Sequence, residues 1–178
     1  MSLSAIFQIN ITQMTTDDID DVVQIESEAY GEHHWAKSSF YDEMNNNLAK
    51  YYCAKTDEGK MVAYAGIWNI IDEAHITTIA VKPEFMRRHI GEALITKILE
   101  GCYEAKIKYL TLEVRESNIP AIELYKKYGF SSLGTRKGYY QDNDESALIM
   151  WTENIFHEKF KKLFEENKRN LTKYIEIK

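Results

Sequence analysis

Between Ile6 and Met14 apolar and polar residues trade places as Ile-Phe-Gln-Ile-Asn-Ile-Thr-Gln-Met, the period-two pattern of a half-buried strand. The period then changes. Thr16-Asp17-Asp18 offers an N-cap and an acidic first turn, and Ile19, Val22, Val23, Ile25 and Ala29 follow at helical spacing. Gly31 to Trp35 breaks the pattern as a loop, and Lys37 to Asn46 predicts a second, short helix. Tyr51 to Lys55 reads as a short strand and Asp57-Glu58-Gly59-Lys60 as a hairpin turn. Met61 to Ile71 is a long apolar strand interrupted by Gly66. Asp72-Glu73 turns the chain into Ala74–Val81, which ends at Lys82-Pro83. Tyr51 to Val81 thus predicts an antiparallel meander.

Helical spacing returns after Arg87, with Ile90, Ala93, Leu94, Ile98, Leu99 and Cys102 in phase. Tyr109 to Val114 predicts a strand. Asn118 to Tyr128 predicts a helix, with Pro120 in its first turn and Gly129 as its C-cap. Phe130–Arg136 and Ser146–Trp151 read as two closing strands. Asn154 to Asn170 predicts a polar helix with Phe156, Phe160, Leu163 and Phe164 on one side. The sum is a mixed α/β (α+β) fold: a meander, then a strand–helix–strand–helix crossover. With no linker, repeat or low-complexity block, residues 1–153 read as one domain and 154–178 as a helical extension packed on it or trailing it.

Composition narrows the class. A chain of 178 residues suits one domain with its own core. Its formal charge of −6 gives no general reason to bind nucleic acid, though it tolerates a cationic peptide. Cys53 and Cys102, the only cysteines, read as reduced core residues; one possible pair is no disulfide framework. No apolar run approaches the roughly 20 residues of a membrane span, and the N-terminus lacks a signal-peptide pattern. The expectation is a cytoplasmic protein without membrane or nucleic-acid contact.

One stretch carries anion chemistry. In Ile79-Ala80-Val81-Lys82-Pro83-Glu84-Phe85-Met86-Arg87-Arg88-His89-Ile90-Gly91-Glu92 a strand ends, a basic tight loop follows, and a helix begins at once. Free backbone N–H groups and the helix dipole then point at one spot, suited to a diphosphate, with Arg87 and Arg88 adding charge. Read on its own, the stretch is equally a solvated loop with two incidental arginines.

The same stretch resembles motif A of the GNAT superfamily, a Gln/Arg-x-x-Gly-x-Gly/Ala loop that cradles the diphosphate of acetyl-CoA. Pro83 fixes the alignment, setting Met86 at the Gln/Arg position, His89 at the first glycine and Gly91 at the last. Two of the three signature positions depart. A slid frame, Arg88-x-x-Gly91-x-Ala93, fits formally but shifts the loop against Pro83. Leu112-Glu113-Val114-Arg115-Glu116-Ser117-Asn118, then Ala121 to Phe130, Arg136-x-x-Tyr139-Tyr140 and Ala147-Leu148-Ile149-Met150, is similar to the RimI-like branch. Glu28-Ala29-Tyr30 to Trp35-x-x-x-x-Phe40 and Asp72-Glu73-Ala74 resemble that branch too. The likeness spans about residues 8 to 152.

The resemblance implies a GNAT fold, with a mixed, mostly antiparallel sheet of about seven strands flanked by helices. It implies transfer from acetyl-CoA, with no metal, to a protein N-terminus, typically the alanine of a small-subunit ribosomal protein. It implies Glu113 as base and Tyr125 as acid. Direct acyl transfer needs both, because the amine loses a proton and the thiolate gains one. The backbone of Ile79, Ala80 and Val81 would bind the pantetheine arm like an added strand, provided the sheet splays there. Arg87, Arg88, His89, Ile90, Gly91 and Glu92 would hold the diphosphate, and Asn118 would touch the arm besides capping its helix. Tyr30, Trp35, Tyr139 and Tyr140 would line the peptide groove. The loop and the Glu113/Tyr125 pair should then face a common cleft.

Plainer readings exist for each residue. Apart from the resemblance, Glu113 reads as a surface strand carboxylate and Tyr125 as a core residue with a satisfied hydroxyl, and Tyr139 and Tyr140 read equally as hairpin packing. His33 and His34 lack the spacing of a metal site. Other acceptors stay open: a small-molecule amine or a lysine side chain. So does a domain that keeps the fold but has lost cofactor binding through Met86 and His89.

Overall fold

The computed structural model describes residues 6–178. The reading of the N-terminus as free of a signal peptide involves residues 1–5, which lie outside the described residues.

The elements run β1 (Phe7–Gln13), α1 (Ile19–Tyr30), α2 (Lys37–Met44), β2 (Ala49–Thr56), β3 (Met61–Ile70), β4 (Glu73–Val81), α3 (Ile90–Glu104), β5 (Tyr109–Arg115), α4 (Ile119–Lys127), β6 (Phe130–Tyr140), β7 (Glu145–Thr152), α5 (Glu158–Leu171) and β8 (Ile175–Ile177). All eight strands form one sheet in the order β6-β7-β5-β4-β3-β2-β1-β8. The β1–β2, β2–β3, β3–β4, β5–β7 and β6–β7 pairs are antiparallel. The β1–β8 and β4–β5 pairs are parallel.

Strand alternation divides the core in two. Tyr52, Ala54 and Ala65 face a cluster with Ile90, Leu94, Ile98 and Leu99 of α3, Ile122 of α4, and Phe160 and Phe164 of α5. Tyr51, Cys53 and Tyr64 face the opposite cluster, with Ile19, Val22 and Ile25 of α1 and Phe40 of α2. Two helices therefore cover one face and three the other. Burying each Leu, Ile or Phe in these clusters stabilises the fold by about 1.5–3 kcal/mol.

Several details differ from the sequence expectation. The cap of the first helical segment is Thr15, one residue early: its N–H donates to Asp18 Oδ2 at 2.9 Å. The last helix begins at Glu158, because Asn154 to His157 form a turn in which Asn154 Oδ1 accepts from Phe156 N at 3.0 Å. β6 runs on to Tyr140, through a bulged register past Arg136. The eighth strand, β8, was not expected. It is three residues long, too short for period-two alternation to register, and it docks in parallel on β1.

Candidate active site

The sheet opens between β4 and β5. Their ladder runs only from Glu73↔Tyr109 to Ile76↔Leu112. Beyond it, Thr77–Val81 and Glu113–Arg115 share no rungs. A bulge begins the separation: the β3–β4 register slips between Gly66 and Ile67, leaving Thr77 unpaired. Gly66 permits this. A Cβ there would meet the Tyr51 ring, and Thr77 Oγ1 at 2.9 Å. The bulge also reverses side-chain alternation, so Ala74 and Ile76 before it and Ile79 and Val81 after it all face α3. One exposed backbone group of this edge is engaged, since the Tyr30 hydroxyl donates to Ile79 O at 3.1 Å.

Past Val81, Pro83–Phe85 form a short 3-10 turn and the chain bends into α3. Arg87 and His89 both hold φ of +62°, left-handed conformations that side chains disfavour. His89 is the N-cap of α3. Ala93 N–H is bonded to His89 O at 3.0 Å. The N–H groups of Ile90, Gly91 and Glu92 precede it and have no intrahelical acceptor. The result is a row of free backbone donors at a positive helix end.

The side chains of this loop go different ways. Arg87 is exposed. The Arg88 guanidinium instead lies 5.3 Å over the Phe7 ring and 5.2 Å over the Phe85 ring. The Glu92 side chain turns inward. It accepts from Lys127 Nζ at 2.6 Å and from the Tyr128 hydroxyl at 3.2 Å, and its Oε1 lies 2.9 Å from His89 Nδ1. Glu92 can therefore offer an anion only its backbone N–H.

Glu113 and Tyr125 start from opposite faces. Leu112 and Val114 pack in the α3 cluster, so alternation turns Glu113 to the α1 face. Tyr125 rides on α4 and packs against the α3 cluster, with its ring 5.7 Å from Phe130. Asn118 starts α4, its Oδ1 accepting from Ala121 N at 3.3 Å. The expectation of one cleft needs a correction of place. The two groups lie on either side of the sheet, and Tyr140 is the residue that neighbours both.

Electrostatics trace that gap. Burial, then the neighbours Tyr30 and Tyr140, raise the Tyr125 phenol well above its ordinary value. Tyr140 is pushed up to about 12 by burial, opposed by Arg115 and assisted by Tyr139, Glu113 and Tyr30. Tyr139 is raised by hydrogen bonding to Glu113, then by burial. Residues of β5, α4, β6 and α1 thus meet at one place. Glu113 Oε1 pairs with Arg136 Nε at 3.0 Å, and the Arg115 guanidinium lies 3.8 Å over the Tyr140 ring. Trp35 is not brought there. Its ring packs 5.7 Å from Phe40 and its backbone N–H donates to Glu26 Oε1 at 3.2 Å.

The sheet is thus bulged and splayed beside the free N-terminal N–H groups of α3. The Acetyltransferase (GNAT) family model matches residues 17–130. The chain belongs to the GNAT acetyltransferase family. It is an acetyl-CoA-dependent N-acetyltransferase. A Bacillus subtilis relative, provisionally named a ribosomal protein bS18-alanine N-acetyltransferase, is 44% identical over 141 residues, 79% of this chain and 93% of its own. The Escherichia coli K12 ribosomal protein bS18-alanine N-acetyltransferase is 32% identical over 142 residues, 79% of this chain and 94% of its own. The crystal structure of the Escherichia coli ribosomal-protein-S18-alanine N-acetyltransferase superposes with a TM-score of 0.76 at 30% identity. That superposition covers 82% of this chain and 94% of that one.

Two neighbours of the GNAT gap escaped sequence reasoning. Arg136 belonged to a recognised pattern, yet nothing in the sequence showed that it crosses β7 to reach Glu113. Glu26 is 3% exposed and accepts from the Tyr64 hydroxyl and from Trp35 N–H. Burial raises its pKa against those two bonds. A glutamate in the apolar phase of α1, directly after Ile25, was the available signal.

Proposed function

We propose that this chain acetylates a protein N-terminal α-amine, specifically the N-terminal alanine of a ribosomal protein of the bS18 kind. The similarity to relatives of that name over nearly their whole length supports the acceptor. The observation that supports the chemistry is the gap between β4 and β5, which opens at Glu113, where the ladder ends.

Acetyl-CoA lies with its diphosphate on the N–H groups of His89 to Glu92, and Arg87 supplies charge. Its pantetheine arm runs along Ile79, Ala80 and Val81 as an added strand, with Asn118 beside it. The Tyr30 hydroxyl yields Ile79 O to the arm. The thioester then ends in the gap. The peptide enters from the α1 face, past Tyr139 and Tyr140, with Trp35 shaping the entry loop from behind.

The amine nitrogen attacks the thioester carbonyl carbon and gives its proton to Glu113. The carbon–sulfur bond breaks, and the sulfur takes a proton from Tyr125. Exchange with water restores both groups. Residues 1–153 form the catalytic domain and 154–178 an extension of it, and the chain works in the cytoplasm, where ribosomal proteins are made. No helix among the described residues is long and apolar enough to cross a membrane.

The test is turnover with acetyl-CoA against peptides beginning with Ala, Ser, Met and Gly, and one with an internal lysine as its sole free amine. The Ala-initiated peptide should give the highest kcat/KM. Preference for the lysine peptide, or for a polyamine added in parallel, overturns the assignment of the acceptor.

A further inference from the structure

The anion-binding turn carries a histidine where glycine would be free to adopt its backbone angle. His89 holds φ +62° and ψ +14°. A side chain there disfavours the left-handed conformation, so something must hold it. Two contacts do. On one side Nδ1 meets Glu92 Oε1 at 2.9 Å, and Glu92 is itself fixed by Lys127 and Tyr128. On the other, the imidazole stacks on the Tyr174 ring, with centroids 4.3 Å apart and planes 15° from parallel.

Tyr174 lies in the link between α5 and β8, beyond the residues that the family model matches. The link is anchored at both ends. Lys168 of α5 pairs with Glu100 of α3 at 2.7 Å, and Asn167 Nδ2 donates to Lys127 O at 2.8 Å. β8 pairs with β1, and Lys178 N donates to Ile9 O at 2.9 Å. Between them Tyr174 N donates to Leu171 O at 3.0 Å. Although 54% exposed, the ring is thus presented to His89 by fixed neighbours.

We propose that Tyr174 is a positioning residue for acetyl-CoA: its ring holds His89 left-handed, and so keeps the N–H groups of the turn aimed at the diphosphate. The proposal rests on the reading of this turn as the diphosphate site. In it, the C-terminal extension supplies by stacking what a glycine would supply by freedom.

The experiment measures acetyl-CoA Kd by calorimetry, and KM and kcat on an Ala-initiated peptide, for the full-length protein and its variants. Releasing the turn into several conformations lowers the competent fraction and weakens binding in proportion. Tyr174→Ala should raise Kd and the KM for acetyl-CoA by about threefold to tenfold, with kcat within about twofold, while Tyr174→Phe keeps the stack and the affinity. In a His89→Gly background, where glycine adopts the angle unaided, Tyr174→Ala should change Kd by less than about twofold. Equal losses in both backgrounds, or no loss in the unaltered one, overturn the proposal. A kcat loss without a KM change does so as well. If Tyr174→Ala fails to fold, the comparison moves to Tyr174→Leu, which keeps apolar cover but not the stack. If the unaltered protein shows no heat with acetyl-CoA, the diphosphate reading itself falls, which is a separate result.

Discussion

Glu113 and Arg136 meet at 3.0 Å across the intervening strand β7. Glu113 lies opposite Ile149 of β7, and Ile149 lies opposite Gly134 of β6. Arg136, two residues further along β6, therefore projects from the same face as Glu113. The pair fixes where the carboxylate points, but Arg136 is more than half exposed, and such ion pairs are worth at most about 1 kcal/mol. Arg136→Gln should therefore lower kcat by no more than about fivefold and leave acetyl-CoA Kd unchanged. A loss of a hundredfold or more would make Arg136 a participant in the chemistry.

Tyr125 should act through its proton. Burial and its phenol neighbours raise its pKa, so the acid form persists to higher pH than an ordinary tyrosine's. Two outcomes follow. Tyr125→Phe should slow kcat by about 10²-fold while acetyl-CoA Kd changes by less than about twofold. The unaltered enzyme should lose no rate between pH 7 and about pH 9.5 through this group. A kcat profile that falls with apparent pKa below 9, and whose fall disappears in Tyr125→Phe, contradicts the assignment.

Glu92 should contribute to acid sensitivity. Burial works to raise its pKa, but Lys127 and His89 outweigh it and hold the carboxyl below its ordinary 4.5. A folded-state pKa below the unfolded one stabilises above the unfolded value, and that stability is lost as pH falls through the folded value. The denaturant midpoint of the unaltered protein should therefore drop between about pH 5 and pH 3 more than that of Glu92→Gln. At pH 7 the variant should be less stable by about 1–3 kcal/mol, because Lys127 loses its partner. Parallel pH dependences of the two proteins would show that Glu92 is not the group responsible.

Much of the fold was legible because its signals are local. Gly59, Gly129 and Pro120 mark turns and a helix start by their own backbone limits, β1 shows in period-two alternation, and the meander shows as apolar runs between turn residues. The turn before α3 was legible for the same reason, as strand, basic loop and helix follow one another directly. What stayed hidden is set by distance. The opening of the sheet depends on Gly66, Tyr51 and Thr77, which lie on three strands. The assignment of Glu113 and Tyr125 to opposite faces depends on how α4 is laid over the sheet. The Tyr174–His89 stack joins residues far apart in sequence, and neither residue type suggests the other.

On the proposed mechanism, one gap in the sheet brings the acetyl donor beside Glu113, which takes the amine's proton. It is tested most directly by Glu113→Gln, measuring kcat on an Ala-initiated peptide and acetyl-CoA Kd on the same preparation. Glu113→Gln should lose about 10²- to 10⁴-fold in kcat, with Kd within about twofold of the unaltered protein. Full turnover by Glu113→Gln across the pH range, or loss of acetyl-CoA binding equal to its loss of activity, would contradict it.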